Sequence, residues 1–221
     1  MTFYNQLLQQ TETGRQYLLG SPIIARTMQG EISVQDYIAF LTQAYYHVRH
    51  TVPLLMSVGA RLDDSREWLR LAVAEYIEEE LGHQEWILND IRACGSDSEA
   101  VRHGRPGQET ELMVAYAYDT INRVNPLGFF GMVLVLEGTS VNLATRAADQ
   151  IQHKLGLPLS AFSYLRSHGS LDQEHIHFFE NLMNRVEDGR DQLAIIHAAN
   201  MFYRLYAEIF RSLDHPRAQA A

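Results

Sequence analysis

The sequence holds a single cysteine, Cys94, among its 221 residues. An internal disulfide, a multi-thiolate zinc site and a CxxC redox pair are therefore excluded, and a reducing interior suits the chain. Lysine is as scarce. Of the 18 basic residues only Lys154 is a lysine, which leaves one candidate for covalent lysine chemistry. Positive charge is also in deficit: a net charge of -9 disfavours nucleic acid and anionic membrane surfaces as partners. Long apolar runs are missing as well. The most apolar stretch, 127–136, is interrupted by Gly128 and Gly131 and closed by Glu137. That is far short of the roughly 20 apolar residues a membrane-spanning helix needs. Residues 1–6 carry neither the basic flank nor the apolar segment of an export signal, so a cytoplasmic protein is expected.

What is present is an ordinary globular composition, 46% hydrophobic and 20% charged, which argues against disorder. A chain of this length can bury a large core without disulfides, and one domain over residues 1–221 is expected. Nearly every segment has helical punctuation. Ser21-Pro22 opens a short helix that Gly30 ends. Ser33 with Asp36 starts a longer one, with Tyr37, Phe40, Leu41 and Ala44 on its apolar stripe. Asp63-Asp64-Ser65 caps a helix expected to run unbroken to Ala93 and stop at Gly95. The stretch 95–107 reads as a surface loop, followed by helices over about 109–123, 126–154, 160–186 and 190–213. With no sustained β alternation, the fold class is all-α, a bundle of about seven or eight helices.

Helix bundles build metal sites from inward-facing carboxylates and histidines on neighbouring helices, and three segments offer them. In the first, Glu78 to His83, Glu80 and His83 are neighbours on a helix surface. Glu78 and Glu79 fit a solvated acidic face, while Leu81 and Trp86 put His83 on the stripe side. The second is Glu137, a carboxylate after an uncharged run from Val124 to Leu136. Burying it unpaired would cost several kcal/mol, so it needs a metal or an arginine partner. In the third, His168, Asp172 and His175 fall at 0, 4 and 7, one narrow helical face. Glu174 and His177 point elsewhere, and Gly169-Ser170 allows the helix to restart there. Two divalent cations would bring four positive charges against three carboxylates, a near-neutral balance inside a bundle. Oxygen and imidazole donors without thiolate suit iron or manganese.

The order Glu80-x2-His83, Glu137, His168-x3-Asp172-x2-His175 resembles the heme-oxygenase-like diiron oxidases. These belong to the superfamily that includes heme oxygenase, TenA-type thiaminases and the PQQ-synthesis oxidase. The resemblance covers about residues 15–212 and implies a heme-oxygenase-like multi-helix bundle. It also implies two iron ions held by Glu80, His83, Glu137, His168, Asp172 and His175, and reaction of O2 with a small organic substrate. Family members place the first carboxylate two or three turns before the histidine, where this chain has Tyr76 and Val73. Glu80 is the nearest substitute and Glu79 the other.

The rest of the superfamily matches less closely. Heme oxygenases carry a proximal histidine on the first helix, and this chain has none before His47. The thiaminases use a cysteine on the helix that here carries Glu137. A PQQ-type pocket would want basic groups, for which Tyr45, Tyr46, His47, Arg49 and His50 are candidates, though such residues more often pack or face solvent. The expected function is a non-heme diiron oxidase or oxygenase whose partners are O2 and a small molecule, with no nucleic acid or membrane. A homodimer is compatible with this. The alternatives are a metal-free TenA-like protein that binds or hydrolyses a small heterocycle, and a helical interaction protein. In metal-free protein the segment from His168 to His175 is expected to be the least ordered helix, because three of six ligands fall within it.

Overall fold

The computed structural model describes residues 1–170 and 172–214, with side chains throughout except at Asn142 and from His168 to His175. The described residues are helical with no strand. Helix α1 (Phe3–Leu19) is capped by Thr2, and α2 (Pro22–Met28) has proline in its first turn. Gly30, with φ of 73°, turns the chain after α2. The Ser33–Asp36 capping box then opens α3 (Val34–Val48), as its sequence predicts. Next come α4 (Thr51–Arg61), α5 (Glu67–Glu80), α6 (His83–Ala93), α7 (Ser98–His103) and α8 (Gln108–Asp119). A π turn over Thr120–Val124 and a 3-10 turn over Pro126–Gly128 lead into α9 (Phe129–Leu155), which Gly156 ends at φ 64°. The last three are α10 (Ser163–Ser170), α11 (Asp172–Asn184) and α12 (Gly189–Ser212).

The helices exceed the seven or eight expected because several long segments are broken. The helix expected from Asp63 to Ala93 is interrupted at Gly82, whose φ of 91° is left-handed backbone that a helix interior does not hold. Asp63 caps only a 3-10 turn, and α5 starts at Glu67. The helix opened by Ser33 breaks at Arg49-His50, the segment 160–186 divides into α10 and α11, and the expected loop at 95–107 contains α7.

Helix α12 is the spine, packed on α1, α8 and α9. Its contact with α9 explains the second glycine of the apolar run. A Cβ on Gly131 would lie 2.5 Å from the Ala199 amide nitrogen and 2.9 Å from the Ile195 carbonyl oxygen, so the two backbones touch where only glycine fits. The larger core cluster joins Leu7, Leu54, Leu69, Phe130, Val135, Phe202 and Ala207. A second holds Tyr37, Leu41, Ile87, Ile91, Ala148 and Phe162, where α3, α6, α10 and the far half of α9 meet. Helix α10 packs on α9 and α6, and α11 on α9. The elements that carry all three sequence segments with metal-ligand character thus adjoin one another around α9. No single helix among the described residues is long and apolar enough to cross a membrane.

Candidate functional site

Glu80 is the last residue of α5 and His83 the first of α6. They are not on one continuous helix, but the left-handed turn at Gly82 still brings His83 Nδ1 within 3.0 Å of Glu80 Oε2. The His83 side chain is 6% exposed and that of Glu80 18%, so the pair is largely withdrawn from water. The Trp86 ring lies against the imidazole, centroids 4.2 Å apart. With a carboxylate beside Nδ1, Nε2 is the ring nitrogen a metal would take. Glu78 and Glu79 are exposed, as the solvated-face reading expects. Leu81 is exposed at 61% rather than on the buried stripe, because the chain leaves the helix there.

Glu137 stands in the middle of α9, half-buried beyond Phe129–Val135, all buried residues. It lines two cavities. One also holds Arg15, Glu12, Tyr4 and Tyr203, with Arg15 forked onto Glu12 at 2.7–2.9 Å. The other collects Glu80, Glu137, His47, Tyr76, Tyr164 and Tyr206 on an otherwise apolar wall. Two of the expected ligands therefore share a cavity, and a third, His83, lies beside one of them. Among the described residues, its lining contains two carboxylates and neither lysine nor arginine.

Tyr76 is the residue that sequence reasoning passed over. In the sequence it stands on the apolar stripe of its helix, at a position where family members carry the first carboxylate. The structure seats its ring at 3% exposure on this cavity, T-stacked on Phe178 at 5.4 Å. Its hydroxyl is buried with no hydrogen-bond partner among the described residues. Burial first, and then the nearby Glu137, Glu79 and Glu80 charges, push its pKa far up, so it is a neutral donor. Burial raises Tyr164 and Tyr206 in the same direction. A buried unsatisfied hydroxyl costs about 1–3 kcal/mol. Tyr76→Phe is therefore expected to stabilise the ligand-free protein by about 1 kcal/mol, read as a higher urea midpoint at unchanged slope. A lower midpoint would mean that the hydroxyl is satisfied in solution.

Of the basic and aromatic cluster near the end of α3, only His47 faces this cavity, its ring 5.7 Å from that of Tyr206. Tyr45 and Tyr46 pack in the second core cluster, Arg49 is exposed, and His50 bonds the Tyr118 hydroxyl through Nδ1 at 3.2 Å.

The side chains of His168, Asp172 and His175 lie outside the described residues, as does the expected disorder of their segment; α10 and α11 supply the backbone that carries them. His177 is exposed, as expected. The start of α10 is fixed by Asp90, which the sequence reading did not single out. This fully buried carboxylate of α6 accepts from the Ser163 amide at 3.0 Å, the Tyr164 amide at 2.9 Å and the Ser163 hydroxyl. Burial pushes its pKa up against the pull of those donors. Spacing from His83, Ile87 and Ile91 places Asp90 on the inner face of α6, and that periodicity was the signal available. The helix of His83 thereby holds the helix of His168 in register. Among the described residues no three His, Cys, Asp or Glu side chains are grouped closely enough to hold a metal ion. The donor chemistry of the cavity nonetheless fits a hard or borderline cation: carboxylate and imidazole donors, a negative lining and an unsatisfied hydroxyl.

Comparison with known proteins places the fold first. A protein of unknown function with a heme oxygenase-like fold from Shewanella denitrificans superposes with a TM-score of 0.86 at 20% identity, over 96% of this chain and 92% of that one. A TenA homolog from Pseudomonas syringae gives 0.79 at 13% identity, over 95% and 91%. Heme oxygenase-1 from Synechocystis, in complex with heme, gives 0.76 at 12%, over 97% and 93%. The fold is therefore heme oxygenase-like, as the resemblance implied. A search of curated proteins returns no match. The family of iron-containing redox enzymes matches residues 38–207, and the chain belongs to that family.

Helix α1 contains no histidine, and Cys94 caps α6 rather than lying on α9.

Proposed function

We propose that the protein is a non-heme diiron oxidase or oxygenase that uses O2 on a small organic substrate. Glu80, His83, Glu137, His168, Asp172 and His175 would hold the two irons, with manganese as the substitute metal. The observation that supports this is the cavity shared by Glu80 and Glu137, without lysine or arginine among its described lining residues, and adjoined by a buried histidine with Glu80 3.0 Å from its Nδ1. Bound iron supplies O2 activation. The chain's own residues do the rest. Glu80 orients the His83 ring, Asp90 anchors the helix that carries His168, and Phe129, Met132 and Val133 keep bulk water from the cavity. The neutral Tyr76 hydroxyl offers one hydrogen bond to whatever oxygen sits before it. The competing reading, a metal-free TenA-like protein, draws on the same tyrosine-rich wall, which would suit a flat heterocycle. Metal analysis separates the two. Protein made in iron-supplemented medium is expected to carry iron at up to two per chain, whereas preparations free of iron, manganese and zinc would overturn the oxidase reading.

A further inference from the structure

Tyr76 and Glu80 stand four residues apart on α5, neighbours on one face of that helix, and both line the polar cavity. Glu137 reaches the same cavity from α9. Three tyrosines, Tyr76, Tyr164 and Tyr206, share its wall. Tyr76 is the one whose hydroxyl is both buried and without a hydrogen-bond partner among the described residues. Packing has no need of that oxygen, because the ring would meet Phe178 in the same way as a phenylalanine. The oxygen therefore serves something that occupies the cavity. Charge says what. The three carboxylates of the proposed site nearly balance two ferrous ions, but two ferric ions bring two further positive charges. Among the described residues no third carboxylate lines the cavity. A tyrosine hydroxyl can supply the missing anion, since a bound metal ion is the largest charge in its site and ionises an acidic group that coordinates it.

We propose that Tyr76 is a ligand of the oxidised metal centre, its oxygen binding one ferric ion as phenolate on the same helix face as Glu80. The O–H bond breaks as the iron–oxygen bond forms, the proton leaves to solvent, and no electron moves. In metal-free and ferrous protein the hydroxyl stays neutral. The inference rests on the oxidase reading for the identity of the metal, and not for the binding of a trivalent ion.

The test is titration of the metal-free protein with gallium(III), a redox-inert trivalent ion supplied as its nitrilotriacetate and followed by ultraviolet difference spectroscopy. Ferrous-loaded protein is then oxidised in air. Gallium is expected to produce the difference band of one tyrosinate per chain, and the ferric protein a visible phenolate-to-iron charge-transfer band. Tyr76→Phe, which keeps the ring packing, is expected to abolish both bands and to weaken gallium binding at least about 10-fold. Folded Tyr164→Phe and Tyr206→Phe proteins should keep both bands. Bands that persist in Tyr76→Phe or vanish instead in one of the other two would overturn the proposal. So would gallium bound without a tyrosinate band, or protein that binds no gallium. Iron uptake at two per chain with a colourless ferric form would retain the oxidase reading and remove this inference. A gallium band that depends on Tyr76, in protein that takes up no ferrous iron, would do the reverse.

Discussion

Glu137→Ala protein is expected to bind ferrous iron at least about 100-fold more weakly at one of the two proposed sites. Loss of a residue that only orients a ligand already costs 10–100-fold in metal affinity, and a carboxylate bound directly to the metal contributes more. The same position should behave in the opposite way without metal. Glu137 borders one cavity with Glu80 and another with Arg15 and Glu12, so its carboxylate stands at the edge of a largely apolar interior. Glu137→Leu removes that carboxylate at similar volume and extends the buried apolar run of α9. The metal-free protein should gain about 1 kcal/mol, toward the low end of what replacing buried ionic groups by apolar ones has given. Iron titration of the alanine variant and urea melts of the leucine variant are the two measurements. Unchanged iron binding together with a destabilised leucine variant would make Glu137 an ion-pair residue.

Hydrogen exchange across residues 165–180 should slow by about 100-fold when ferrous iron is present at 100 times its dissociation constant. Half of the proposed ligands fall on this segment, and a metal that binds only the ordered form adds its binding free energy to that order. Around it the fold is already held. Asp90 caps the start of α10 with three hydrogen bonds, and Phe179, Leu182 and Met183 of α11 are buried. Protection should therefore change between these anchors and little outside them. Equal exchange with and without iron would mean that packing alone orders the segment, and would return its histidines to structural roles.

The parts of this protein legible in the sequence are those set by local chemistry. The Ser33–Asp36 capping box and the start of α2 at Pro22 depend on a few adjacent atoms, and each forms where its sequence predicts. The expected helix termination at Gly30 and the break at Gly156 are likewise local. The breaks inside longer helices are different. Gly82 is tolerable in a helix at about 1 kcal/mol relative to alanine, and only tertiary packing of α6 decides that it turns left-handed instead. At Arg49-His50 the signal is Pro53, which cannot bond the Arg49 carbonyl four residues back and crowds it. In the site, charge and spacing singled out Glu80, His83 and Glu137, because buried charge is rare enough to stand out. Tyr76 and Tyr206 did not stand out, because a tyrosine on an apolar face reads as core until its hydroxyl is seen facing a cavity.

Anaerobic titration of the purified metal-free protein with ferrous iron, followed by Mössbauer spectroscopy, tests the two-iron site most directly. The expected result is saturation at two ions per chain, with high-spin ferrous signals that convert together on exposure to O2. Saturation at one ion, or protein that leaves ferrous iron, manganese and zinc alike in solution, would contradict it.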